Sequence, residues 1–380
     1  MGIRGLTVLA VCGALGAGAV TVAPAAVAKP PASAPKWRVV AHALNSLGAA
    51  VAPTASSAWA FGWGAKQPNG PIFPVGRHWN GHRWSSVKLP AGVKDSGMSC
   101  AGASSPSNVW AFSGTGAVNA NPPSTVSALR LRQGRWTVVH DFPHSSYVTG
   151  CDVLSPSDVW AFGGAVAGLG PTIGTWHFDG SGWREFNTGK WVLFNASVVS
   201  PSDIWATAGN VLSFQPAIER WNGHSWRVST SIDSVLPRRT KTTSVGLDNV
   251  NAISASDVSV LASVFRGRTE SFIVVHWNGH QWSRVKPGSA GYYLPTAVSD
   301  GHGGWWSPPY LPSGQVSYLV HRAGGCWVKS SLPVRLEVFL GSTISTISIV
   351  KVPHTPAMLV AGTQIGPHGT QGVVLVFGRL

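Results

Sequence analysis

The residues that could do chemistry in this chain are few, and most of them recur. His82, His224 and His280 hold the same place in three copies of Trp-Asn-Gly-His-x-Trp. By type they could form a metal ligand set, but equivalent tips of separate repeats sit too far apart to share an ion with bonds near ~2 Å. Asp158, Asp203 and Asp257 also recur, at positions where a turn uses a side chain that bonds back to the backbone. Outside the repeat turns the carboxylates are Asp95, Asp141, Asp152, Asp248 and Glu337. A glycosidase needs two such groups about 5 to 10 Å apart across the scissile bond. Asp152 and Asp248 begin or precede the first strand of their repeats, where a side chain can face a central channel. A copper oxidase with a crosslinked Tyr–Cys cofactor would need a Tyr beside a Cys, and no such arrangement is evident. The sequence therefore assigns no catalytic residue and leads us to expect neither metal nor cofactor.

The elements that must position any site come from an internal repeat. One signature reads Ser155-Pro156-Ser157-Asp158-Val159-Trp160-Ala161-Phe162. It recurs from Ser105 to Phe112 and from Ser200 to Ala206, with weaker copies from Thr54, Ser254, Ser299 and His354. A second signature follows, as Trp79-Asn80-Gly81-His82-Arg83-Trp84 and again from Trp221 and Trp277. Its second Trp, in exact or degenerate copies, falls at 84, 136, 183, 226, 282 and 327, a period of about fifty residues. Asn-Gly between apolar alternations signals a hairpin whose two turn residues need positive φ, and Ser-Pro-Ser-Asp signals another turn. Each unit then reads as four short strands, which is one propeller blade. The last unit ends at Phe377 without a fourth strand, and the missing Trp-x-x-Val stands at the other terminus as Trp37-Arg38-Val39-Val40. The expected fold is all-β: a seven-bladed β-propeller over 36–380, closed by the N-terminal strand completing the last blade.

The paired motifs resemble repeats common in secreted actinobacterial proteins, loosely grouped with kelch-like or galactose-oxidase-like propellers. The resemblance covers essentially the whole mature chain. It implies the architecture and brings no catalytic residue, because the shared positions are structural.

Composition agrees. Of 380 residues, 11% are charged and 44% hydrophobic, which excludes a disordered or coiled-coil chain, and 45 Gly with 27 Pro argue against an all-α fold. Arg4, the apolar run from Leu6 to Val22, and Ala26-Val27-Ala28 read as a signal peptide over 1–28, with 29–35 a short linker. The mature chain has no other apolar run long enough to span a bilayer, so the expectation is a secreted, possibly wall-associated protein, and a monomer. Export leaves Cys100, Cys151 and Cys326 in the mature chain. A bridge between Cys100 and Cys151 would join neighbouring units, although their offsets from the repeat differ by one residue, which points the side chains to opposite strand faces.

Most of the 19 Trp belong to the repeat and read as packing between blades. The short, repetitive turns share one end of the blades, so the links of variable length lie at the other, where binding residues are commonly carried. The aromatics in or beside those links, Trp63, Tyr147, Trp191, Tyr292, Tyr293, Trp306 and Tyr310, are candidate ligand-binding residues. Arg238, Arg239 and Arg268, with Lys241 and Arg266 nearby, add positive charge there, in a chain with 28 Lys+Arg against 14 Asp+Glu. The partner expected is an extracellular polysaccharide, an anionic wall polymer or a protein; secretion disfavours nucleic acid. A carbohydrate-active propeller enzyme is the alternative.

Overall fold

The computed structural model describes residues 35–67, 70–93, 96–114, 126–142, 148–163, 174–210, 213, 215–285, 298–302, 304–309, 314–323, 326–338, 347–366 and 369–380. The described residues are all-β, with one 3-10 turn at Thr230–Ser234 and no α-helix.

The first strand, β1 (Trp37–Leu44), stands apart from the strands that follow it in sequence. The first four-stranded sheet runs β2 (Ser46–Thr54), β3 (Ser57–Ala65), β4 (Ile72–Trp79) and β5 (Trp84–Ser86). The second is β6 (Met98–Ser105), β7 (Asn108–Ser113), β8 (Val126–Arg132) and β9 (Arg135–Phe142). The third is β10 (Gly150–Ser155), β11 (Asp158–Phe162), β12 (Thr175–Phe178) and β13 (Trp183–Phe186). The fourth is β14 (Trp191–Ser200), β15 (Asp203–Asn210), β16 (Pro216–Trp221) and β17 (Trp226–Ser229). The fifth is β18 (Thr243–Ser254), β19 (Asp257–Arg266), β20 (Thr269–Trp277) and β21 (Trp282–Arg284). The remaining strands are β22 (Val298–Ser299), β23 (Trp305–Ser307), β24 (Gln315–Ala323), β25 (Cys326–Glu337), β26 (Ile347–Lys351), β27 (Met358–Gly366) and β28 (Gly369–Phe377).

All pairing is antiparallel and each four-stranded sheet keeps sequence order. The last seven strands and β1 form one eight-stranded sheet. Within it, β25 and β27 share the single pair Leu336↔Gln364, whereas β1 runs beside β28 from Trp37↔Phe377 to Leu44↔Gln371.

Strand two of the units is continuously buried, as the unbroken apolar runs around Val109-Trp110-Ala111-Phe112 and Val159-Trp160-Ala161-Phe162 require. Its residues fill six buried clusters, and each joins one four-strand run to its neighbour. The strand-two Trp meets the strand-four Trp of the following run edge to face. The centroid separations are 5.7 Å for Trp110–Trp183, 5.8 Å for Trp160–Trp226 and 6.2 Å for Trp205–Trp282. Trp306 and Trp37 repeat this contact at 5.3 Å and 89°.

The turns differ in detail from the sequence expectation. In Trp79-Asn80-Gly81-His82-Arg83-Trp84 only Gly81 has positive φ, at 91°, because Trp79↔Trp84 closes a four-residue loop. Asn80 Oδ1 accepts from the backbone N–H of His82 and Arg83, which fixes the loop. The two-residue turn with both φ positive occurs in the degenerate copy, at Gln133 and Gly134. In the Ser-Pro-Ser-Asp turns the first Ser bonds back to the backbone, as Ser155 Oγ does to Ser157 N–H at 3.1 Å.

Cys100 and Cys151 are disulfide-bonded, with Cα atoms 6.0 Å apart. Their pointing to opposite strand faces does not count against the bond. The inner strands β6 and β10 approach face to face, so a Cβ added to Gly102 would lie 2.7 Å from Val153 Cγ2. Gly102 shares its face with Cys100, and Val153 shares the facing one with Cys151, so opposite parity brings the sulfurs together.

The bridge closes a loop with a sequence separation of 51. Chain-entropy reasoning gives about 4 kcal/mol for a loop of that length. Cys100→Ala with Cys151→Ala is therefore expected to lower the thermal midpoint by several degrees in calorimetry; an unchanged midpoint would show that the bridge adds nothing to the face-to-face packing.

Candidate functional site

The Ser-Pro-Ser-Asp turns and the Trp-Asn-Gly loops lie at one end of each sheet, and there the recurring acids are already engaged. Asp158 Oδ1 lies 2.9 Å from His177 Nε2 and accepts from Trp160 Nε1 at 3.0 Å. Asp203 Oδ1 accepts from Arg220 Nε at 2.7 Å, and Asp257 Oδ1 lies 2.9 Å from His276 Nε2. Asn108 takes the same role toward Arg130 and Trp110. The strand-three partner also covers the strand-two indole: His177 stacks on Trp160 at 4.2 Å, and the guanidinium of Arg220 sits 4.5 Å from the Trp205 ring centre. These acids hold the joint between strands rather than capping only a turn. His82, His224 and His280 sit on loops of three different sheets, and among the described residues no three His, Cys, Asp or Glu side chains converge as a metal site.

Trp306 belongs to this machinery and not to a ligand site. It is 2% exposed, stacks on His321 at 4.2 Å and packs against Trp37 and Phe377. The turn before it is longer: Asp300 Oδ1 accepts from the N–H groups of His302 and Gly304, so the Trp lies six residues after the Asp instead of two. Burial opposes ionisation of Asp300, but the hydrogen bond from His321 and those two N–H groups hold its pKa below the usual value.

The opposite end carries the connecting links. Trp63 interrupts the buried run of β3 and is 37% exposed. Trp191 is half-buried at the start of β14, on a loop that is built rather than loose. Asn187 Oδ1 accepts from Gly189 N–H at 2.7 Å, Thr188 Oγ donates to the Trp191 carbonyl at 2.5 Å, and Trp191 N–H donates to the Thr188 carbonyl. Beside Trp191 opens a cleft of about 370 Å³ with Glu185, Phe186, Asn187 and Thr188 on its walls. Arg238, Arg239 and Arg268 are exposed, as are Lys241 and Arg266. Tyr147, Tyr292, Tyr293 and Tyr310 lie outside the described residues, as does Asp95. Two further clefts lie at this end. One of about 550 Å³ is lined by His42, Arg77, Gln364 and Gln371, and one of about 640 Å³ by Ile72, Phe73, Leu89 and Val93.

Three carboxyls are pushed strongly upward. Asp152, in the inner strand β10, is partly open to solvent yet so enclosed that desolvation pushes its pKa up to about 7. Asp248, the extra residue of a β-bulge in β18, also rises to about 7, mainly by burial. Its Oδ1 accepts from Ser263 Oγ at 3.1 Å while Oδ2 has no partner. The added charge felt by Asp248 is that of Glu270, and burial alone acts on Asp152. Glu219 is 3% exposed, and burial raises it to about 7 as well. Sequence reasoning missed Glu219, which in register takes the strand-three place that Leu129, Val275 and Val320 fill in three units and Arg77 and Trp176 in two others. Asp141 accepts from Ser127 Oγ at 2.5 Å, and burial raises Glu337.

No family model matches the chain, and no curated protein matches it. Many solved structures resemble it, among them these three. The GH74 xyloglucanase from Xanthomonas campestris has a TM-score of 0.38 and 13% identity, covering 86% of this chain and 59% of its own. A protein of unknown function from Dyadobacter fermentans has a TM-score of 0.42 and 12% identity, covering 77% of this chain and 97% of its own. A Hadza microbial sialidase has a TM-score of 0.38 and 9% identity, covering 88% and 65%. The chain thus spans less than two thirds of the length of either enzyme.

A carboxyl whose folded pKa is raised is best tolerated below its unfolded value near ~4, and its contribution is lost as pH climbs through the folded value. Asp152, Asp248 and Glu219 therefore disfavour the fold increasingly toward pH 8. His78 and His140, which burial lowers, act in the opposite sense below about pH 6.5. The clean readout is a difference. Asp152→Asn is expected to leave the thermal midpoint nearly unchanged at about pH 4, to raise it progressively above that, and to raise it by several degrees by about pH 7.5. A gain that stays constant across that range would show that the charge of Asp152 is not its source.

Proposed function

We propose that the chain is a secreted seven-bladed β-propeller that binds an extracellular polysaccharide with its link-bearing end and performs no chemistry on it. In this reading the eight-stranded sheet is two blades, β22 to β25 and β26-β27-β28-β1, touching at one residue pair. The contact of Trp37 with Trp306 supports the closure, because it repeats the edge-to-face joint found between Trp110 and Trp183. Buried Ala41, Val374 and Val376 pack in one cluster with Ala58 and Ala60 of the first sheet, as a closing joint would require. The disulfide and the Ala26-Val27-Ala28 site support export through an oxidising compartment.

The observation that carries the binding reading is the cleft beside Trp191. A pyranose presents one apolar face and a rim of hydroxyls. An indole with Glu185, Asn187 and Thr188 beside it offers a stacking surface and polar groups for that rim. The loop's internal hydrogen bonds hold these groups before any ligand arrives, which lowers the ordering cost of binding. Trp63 adds an exposed indole at the same end in this reading.

Catalysis by Asp152 and Asp248 is the second reading, favoured by their desolvation. It ranks below binding because a glycosidase pair about 5 to 10 Å apart would act on each other's ionisation, and neither aspartate is a cause of the other's shift.

The test is a binding screen of residues 29–380 against soluble polysaccharides, with Trp191→Ala as the diagnostic variant. Loss of the indole is expected to weaken binding about tenfold or more, near 1.4 kcal/mol, while a cooperative melting transition shows that the fold survives the loss of its packing on the core. Equal affinity of variant and parent across every bound glycan would remove the cleft as the site. Release of reducing ends, abolished by Asp152→Asn or Asp248→Asn, would replace binding with the enzymatic reading.

A further inference from the structure

We infer that Arg238, Arg239, Lys241, Arg266 and Arg268 form one subsite for the acidic groups of the polysaccharide, and this rests on the reading of the Trp191 cleft above. In sequence the five cations belong to two segments more than twenty residues apart. In the fold these segments are adjacent. Gly267 N–H donates to the Thr242 carbonyl at 2.8 Å, which fastens the 266–269 turn to the link before β18. Thr240 shapes that link, its Oγ accepting from the N–H groups of Thr242 and Thr243 at 3.2 and 3.0 Å. All five side chains are exposed, and among the described residues none forms an ion pair with a carboxylate. Like charges gathered this way repel one another, and an anionic ligand relieves the repulsion.

The ridge is linked by hydrogen bonds to the strand that pairs with Trp191. Arg239 Nη1 donates to the Ser213 carbonyl at 3.4 Å, and Ser213 N–H donates to Asn210 Oδ1 at 3.1 Å. Asn210 is the register partner of Trp191 across β14 and β15. Phe265, 39% exposed, immediately precedes Arg266 and supplies a second ring beside the charges. A polymer lying from Trp191 to the ridge therefore meets an indole, a guanidinium, then a cluster of cations flanked by a phenyl ring.

That order selects the chemistry of the ligand. The cleft end carries the exposed carboxylate of Glu185, so a backbone with a charge at every unit is repelled there. A glycan that places carboxylates on some of its sugars and leaves others neutral matches both ends. A nucleic acid, charged at every phosphate, matches only the ridge.

The test compares a half-methyl-esterified polygalacturonate, whose charged and neutral sugars are mixed along the chain, with its fully esterified neutral counterpart and a single-stranded DNA, at low and moderate salt. The variants are Arg238→Ala/Arg239→Ala, Arg266→Ala/Arg268→Ala and Trp191→Ala, each checked for a retained cooperative melting transition. The half-esterified polymer is expected to bind more tightly than the neutral one at low salt and to lose that advantage as salt rises. Either arginine pair variant should weaken the half-esterified polymer about tenfold and leave the neutral polymer unaffected, whereas Trp191→Ala should weaken both. Parental affinity of both arginine variants for the half-esterified polymer, with Trp191→Ala still defective, would overturn the subsite and leave the cleft standing. A silent Trp191→Ala would overturn the cleft and this inference with it. Tighter binding of DNA than of the half-esterified polymer would overturn the assignment to polysaccharide.

Discussion

The structure depends on one joint, repeated around the molecule: the strand-two indole held on its face by its own sheet and on its edge by the next. In the third sheet His177 covers the face of Trp160, Asp158 fixes both His177 and the indole N–H, and Trp226 closes on the edge. The second and fourth sheets use arginine over the ring in place of histidine. Each element is modest, roughly 0.5–2 kcal/mol for a cation over a ring and 0.5–1.5 kcal/mol for an aromatic pair. They nevertheless share one buried ring, so losing any partner leaves the others with an unsatisfied donor or an unfilled face. The joint links three strands within a sheet to the neighbouring sheet, and the repeat is therefore under packing control rather than turn control.

This explains what could be read from the sequence and what could not. The four-strand units were legible because Ser-Pro-Ser-Asp, Val-Trp-Ala-Phe and Trp-Asn-Gly each report a local conformation at a fixed spacing. The role of the recurring Asp was not, since its partner lies about nineteen residues on, in the His or Arg before the Trp-Asn-Gly loop. Trp306 looked like a loop aromatic because the turn from Asp300 is longer, which hides its match to Trp160 while leaving the stack on His321 intact. The cysteines posed a different problem. Parity along one strand says which face a side chain takes, but neighbouring sheets present opposite faces to each other, so the rule that separates two residues within a sheet brings them together between sheets.

The buried carboxyls mark where the repeat gives way to something particular to this chain. Glu219 stands where three other units place Leu or Val and two place Arg77 and Trp176, and Asp248 occupies a bulge whose counterparts in the first, second and fourth sheets are Gly48, Ser99 and Phe194. Periodicity can flag such positions as exceptions but cannot say whether a partner awaits them, because that depends on side chains from other sheets. Desolvation at Asp152 and Asp248 is a cost the fold bears without an ion pair. Polar groups held this way fit a lined interior more readily than a packed one, since the partly open Asp152 keeps some contact with water.

The same joint confines where recognition can evolve. At the end bearing the Ser-Pro-Ser-Asp turns, the recurring acids are already committed: Asp158, Asp203, Asp257 and Asp300 each hold a strand-three His or Arg. Changing one of them for binding would loosen an indole and the sheet behind it. At the opposite end the strands run out beyond the joint, and their links can change length and composition without touching it. The two-residue turn at Gly267-Arg268 and the longer stretch from Thr230 to Thr242 both start from strands anchored by Trp205, Trp277 and Trp282. Trp191 and the five cations stand on such links, fastened by backbone hydrogen bonds; the cations are exposed, and Trp191 only borders the packing that fixes the repeat. A rigid frame with one committed end and one free end leaves its binding chemistry to the free one.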